Sequence, residues 1–200
     1  WLGGLYTSLL NLPVFLLGAL WGIHYLVEVH HVTVVQASYA TTIFFVGIIV
    51  GSPLFGWFSD KIGRQWTIFC SCVLQSLVVF CMYLASSGAS WSSNAFIMMT
   101  LVALIGANFG SNLALFPAVT KDYFGVKNFG LNYGIVFTAW GIAGLVMPWI
   151  NGFVKDIGMP QLSYVIVITM LMTAAIFTFL SRSIANKNCV ITRKINEEAA

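Results

Sequence analysis

The sequence predicts an all-α, polytopic membrane fold with six transmembrane helices, and three observations predict it. The chain is 59% hydrophobic and only 8% charged, whereas a soluble domain carries roughly 25% charged residues. Water cannot solvate so uncharged a surface, so lipid is the expected solvent and the bilayer the first partner. Second, apolar runs of about 20 residues, the length that crosses a bilayer, recur along the chain with only short polar breaks between them. Third, the bases fall almost wholly in alternate breaks, as they do when successive spans run antiparallel.

The runs cover approximately residues 5–29, 38–58, 67–85, 95–117, 133–153 and 163–180. No soluble domain fits between them. Residues 1–183 therefore read as one six-helix bundle and 184–200 as a loosely ordered polar tail. The first run contains Pro13, which bends or opens a helix, and closes on His24, Glu28, His30 and His31. Glycines four residues apart recur at Gly18 and Gly22, Gly47 and Gly51, Gly106 and Gly110, and Gly130 and Gly134, with Gly141 and Gly144 beyond. Small residues at that spacing let helix backbones touch in lipid, so close packing is expected in four of the spans. Cys70, Cys72 and Cys81 share one apolar run and read as small core residues, and Cys189 lies in the tail. Neither placement has disulfide-framework or zinc-ligand spacing.

Topology follows from the bases. Lys61 and Arg64 follow the second run, Lys121 and Lys127 the fourth, and Arg182, Lys187, Arg193 and Lys194 the sixth, leaving only Lys155 in the opposite set of loops. Loops rich in Lys and Arg stay in the cytoplasm. Both termini are thus expected inside, with the chain in the cell (inner) membrane. The chain opens at Trp1 without an initiator methionine and reads as a piece of a longer protein.

Several functions are excluded by pattern. The net charge of +3 is scattered, with no basic stripe for nucleic acid. There is no Gly-x-Ser-x-Gly, no phosphate loop and no carboxylate pair at depth. No enzyme activity, cofactor or metal is expected.

Between the second and third runs lies Gly56-Trp57-Phe58-Ser59-Asp60-Lys61-Ile62-Gly63-Arg64. Its Gly-x-x-x-Asp-Lys-x-Gly-Arg pattern, set between two spans, resembles the inter-helix loop motif of the major facilitator superfamily. Gly56 and Gly63 suit close approach and a turn. Asp60, Lys61 and Arg64 supply charge for a helix end or a partner loop. The resemblance implies a twelve-helix secondary carrier of which this chain is half. It also implies a gating role for the motif, which in that family locks one half against the other. Asp60 and Arg64 are then expected to lack their partner in this chain alone. A second stretch, Phe116 to Gly134 followed by Phe137-Thr138-Ala139-Trp140-Gly141-Ile142-Ala143-Gly144, resembles the tenth-to-eleventh helix region of the oxalate/formate antiporter family. That implies the C-terminal half, with an N-terminal six-helix half missing or replaced by a second copy.

Two constellations remain for solute and coupling. His24, Glu28 and His31 share one helix face. They could carry protons, bind a metal or form the wet outer mouth of the span, and their place in its last turn favours the mouth, with His24 the deepest. Otherwise the spans contain no charged residue, so a cavity wall would be Asn108, Asn112, Tyr133, Thr138 and Trp140, able to orient a solute by hydrogen bonds or to hold helices together. Oxalate-handling antiporters of the resembling pattern have a lysine where this chain has Trp140. The function expected is alternating-access transport of a small organic solute such as a monocarboxylate, with a proton or counter-anion as coupling partner. A non-transporting helical module and a homodimeric half-carrier are the alternatives.

Overall fold

The computed structural model describes residues 33–159 and 161–198. The first expected span lies outside the described residues, and with it the proton-coupling candidates His24 and Glu28. The described residues form five membrane-length helices: α1 (Val34–Ile62), α2 (Arg64–Ser86), α3 (Ala95–Phe124), α4 (Phe129–Asp156) and α5 (Gln161–Glu198). A short 3-10 turn, Ser90–Ser93, precedes α3. Each of the last five expected spans falls inside one of these helices.

The helices outrun the apolar runs because helical hydrogen bonding continues until a residue interrupts it. Between α1 and α2 the interruption is Gly63 alone, at φ 94°, and α3 ends at Gly125, at φ 71°. Both lie in the left-handed region that side chains disfavour. We call the end of the bundle at Gly63 the motif end. At its other end α3 starts on Asn94, whose side-chain oxygen accepts the Phe96 N–H at 3.0 Å, a standard N-cap. α5 runs as helix to Glu198, and the sequence from Gln161 to Glu198 holds neither Gly nor Pro to stop it.

Glycines decide the tightest packing. α1 and α3 lie side by side and parallel, and a side-chain carbon at Gly47, Gly51 or Gly106 would overlap the backbone of Ala103, Ala107 or Phe44 respectively. One at Gly110 would fall 2.6 Å from the Ile48 carbonyl oxygen. The two helices thus interlock reciprocally, backbone on backbone, as small-residue spacing allows. The same expectation fails on α4, where nothing stands within 4 Å of a carbon built at Gly130, Gly134 or Gly141. Spacing alone cannot say which face of a helix meets a neighbour.

The main core joins the other helices. Ile68, Cys72 and Val79 of α2, Leu115 and Phe116 of α3, Ala143 and Met147 of α4, and Val167, Leu171 and Ala174 of α5 form one buried cluster. Cys72 belongs to this core as expected, but Cys70 is exposed on the outside of α2. Large apolar side chains also face outward, among them Leu145 (75% exposed) and Trp149 (74%). In water such a surface would be prohibitive, and in lipid it is the normal exterior.

Candidate functional site

Two places gather the polar chemistry. The first is at the motif end. Arg64 opens α2 and sits one turn after Asp60 on α1. Its Nη1 approaches Asp60 Oδ1 at 2.7 Å and donates to Ser59 Oγ at 3.0 Å. Its Nε donates to Asp122 Oδ2 at 3.0 Å, at the end of α3. Beside it Gln65 Nε2 donates to the Tyr123 hydroxyl. A planar guanidinium can hold several oxygens at once, so one arginine ties three helix ends together. Asp60 and Arg64 thus pair with each other, and Arg64 with Asp122, inside this chain, apart from the contact expected with a helix end of another half. Asp60 and Asp122 are 66% and 50% exposed at the side chain, so water screens the pairs and each holds weakly. Lys61 stands with Nζ 4.0 Å from the Trp57 ring centre, a cation–π contact. Gly63 makes the turn. Gly56 is inside α1, where an added carbon would meet Ala114 Cβ at an ordinary 4.0 Å.

The second place is a groove between α3 and α4. Asn112, Leu113 and Phe116 form one wall, and Tyr133, Val136, Phe137 and Trp140 the other. Of the five expected wall residues the fold brings together Asn112, Tyr133 and Trp140. Asn108 is buried inside the bundle and does not line the groove. Thr138 is exposed and donates its hydroxyl to the Ile135 carbonyl at 2.7 Å. It faces away because it stands five residues from Tyr133, half-way round the helix.

The groove holds more than the polar residues. Phe129, Tyr133, Phe137 and Trp140 form a ladder of rings along α4, with successive centroids 5.6, 5.7 and 5.0 Å apart. Pro117, inside α3, lacks the N–H that would bond the Leu113 carbonyl one turn before it. No Asp, Glu, Lys or Arg lines it. The enclosed space is about 20 Å³, room for one water molecule, so these residues form a wall and not a closed pocket. Sequence reasoning missed Phe116, Phe137, Ser59, Asp122 and Tyr123. The aromatic spacing i, i+4, i+8, i+11 on α4 was a readable signal for Phe137. Nothing in local spacing joins Arg64 to a residue 58 positions away.

Relatives agree with this architecture. The chain is 28% identical over 115 residues to the Uncharacterized MFS-type transporter YhjX of Escherichia coli K12, covering 58% of this chain and 27% of the relative. It is 26% identical over 146 residues to a D-galactonate transporter of Escherichia coli O6:H1, covering 68% and 32%. To the MFS-type efflux pump MMF1 of Mycosarcoma maydis it is 23% identical over 132 residues, covering 66% and 20%. The chain thus spans about a third or less of the length of the relatives it matches. These are transporters and not enzymes. With five described helices of membrane-spanning character and a family profile that matches residues 4–194, the chain belongs to the Major Facilitator Superfamily.

Proposed function

We propose that this chain is one six-span half, the C-terminal one, of a secondary carrier that moves a small monocarboxylate by alternating access. The observation that carries the reading is the uncharged groove between α3 and α4, where Asn112, Tyr133 and Trp140 converge. An amide, a phenol and an indole N–H can hold a solute by hydrogen bonds. Without a fixed cation they do not offset the second charge of a dianion, so oxalate binds poorly. The relative named for D-galactonate, itself a monocarboxylate, supports that solute class. The other half, or a second copy, closes the cavity opposite this wall.

The motif end faces the cytoplasm in this reading, together with both termini. The Arg64 cluster ties α1, α2 and α3 there, and Asp60, its more exposed carboxylate, also meets a helix end of the other half. Breaking such a contact shifts the balance of the transport states by about 1–3 kcal/mol.

Uptake by the intact carrier in proteoliposomes tests the proposal. Labelled lactate should be taken up and oxalate should not compete with it, whereas Trp140→Lys should bring oxalate into competition. Tight oxalate binding by the unaltered carrier would overturn the charge argument. In the same assay Asp60→Asn should slow uptake at equal expression, and unchanged kinetics would remove the gating role.

A further inference from the structure

The groove between α3 and α4 is polar only toward its two ends. α3 runs toward the motif end and α4 away from it, joined by the turn at 125–128. Equal steps from that turn set Phe116 level with Phe137, and Asn112 level with Gly141, next to Trp140. Tyr133 lies about one turn nearer the motif end than Phe137. The phenol is thus toward one end of the groove, and the Asn112 amide and Trp140 indole toward the other. Tyr133 and Trp140 are about 10 Å apart along the helix axis. Between these levels the lining residues are Phe116, Val136 and Phe137, whose side chains hold no polar atom.

This apolar middle is already ordered. Phe116 is 6% exposed and belongs to the main core, and Val136 packs against that core. Phe137 is 42% exposed, yet its ring is flanked on both sides along α4, with centroids 5.7 Å from Tyr133 and 5.0 Å from Trp140. Those separations are typical of favourable aromatic pairs. A solute therefore meets a preformed apolar face and has little side-chain freedom to freeze. A hydroxyl on the body of a solute would leave water there and find no side-chain partner, which costs affinity. An aromatic body gains by leaving water and can pair with the Phe137 ring. A carboxylate only accepts hydrogen bonds, and the Asn112 amide and Trp140 N–H supply donors at one end.

Resting on the monocarboxylate reading above, we propose that the groove selects monocarboxylates with an aromatic body. The ring lies against Phe137, and the carboxylate takes the end at Asn112 and Trp140. Phe137 is then a specificity-determining residue, and a polyhydroxylated acid is a poor solute.

Competition for labelled lactate uptake by the intact carrier in proteoliposomes tests this. The unlabelled competitors are lactate, phenyllactate and D-galactonate. Phenyllactate keeps the head group of lactate and adds one ring, so the ratio of their inhibition constants isolates the ring. Phenyllactate should inhibit at a concentration at least about 10-fold below that of lactate, and D-galactonate should need more than lactate. Phe137→Ala should shrink the phenyllactate advantage by about 10-fold, and Phe137→Tyr, which restores a ring, should keep it. Lactate uptake with equal constants for phenyllactate and lactate, with D-galactonate as the strongest competitor, or with an advantage that survives Phe137→Ala would overturn the proposal. The ladder would then be a packing surface for other helices, and the monocarboxylate reading would stand. An absence of lactate uptake and of phenyllactate binding would remove that reading and the proposal with it. The constants of the unaltered carrier decide even where a variant does not fold.

Discussion

Arg64 shows how much a single side chain can organise and how little each of its pairs contributes. Its partners Asp60, Ser59 and Asp122 come from two other helix ends, yet both ion pairs touch water. A double-mutant cycle of Arg64→Gln with Asp122→Asn, read from unfolding in detergent, should give a coupling of about 0.5 kcal/mol that shrinks as salt is added. Arg64→Gln should cost more than Asp122→Asn, because it also abandons Asp60 and Ser59. Gly63 is less replaceable than either. At φ 94° and ψ 149° a side chain carries a backbone strain of about 1–3 kcal/mol, and Gly63→Ala should lower stability by that much although nothing crowds the position.

At the scale of the helix, the glycine pairs of α1 and α3 separate from those of α4. Gly51 and Gly106 sit where a side chain would strike backbone, which cannot yield. Gly51→Leu or Gly106→Leu should destabilise by about 3 kcal/mol or more, the scale of severe overpacking. Gly134 has open space around it, so Gly134→Ala should be neutral or stabilise by up to about 1 kcal/mol through helix propensity. Unfolding midpoints of the single variants would check both. A Gly134→Ala loss as large as that of Gly106→Leu would mean that α4 is also packed through its glycines.

For the whole molecule, the helix ends gather the bases to one side. Ile62, Arg64, Phe124 and Phe129 bound α1 to α4 at the motif end, where Lys61, Arg64, Lys121 and Lys127 lie. With that end in the cytoplasm, single cysteines at 61 and 127 should resist an impermeant thiol reagent in intact cells, and one at Ser87 should react. The background must lack the native cysteines, since Cys70 is exposed. Labelling of position 61 before position 87 would invert the orientation.

The sequence by itself determined the solvent, the number and place of the described spans, and the family. Each of these follows from local composition: an apolar run of a given length must cross lipid, and the short charged stretch around Gly63 marks the turn between two such runs. It also named Asn112, Tyr133 and Trp140 by residue type. Only the tertiary structure decided that these three share a groove while Thr138 turns away. It likewise decided that Gly106 meets a backbone while Gly134 meets none, and that Arg64 reaches Asp122. These depend on which faces of two helices distant in sequence come together. Helical periodicity fixes the faces of a helix, but the close fit of its neighbours selects among them.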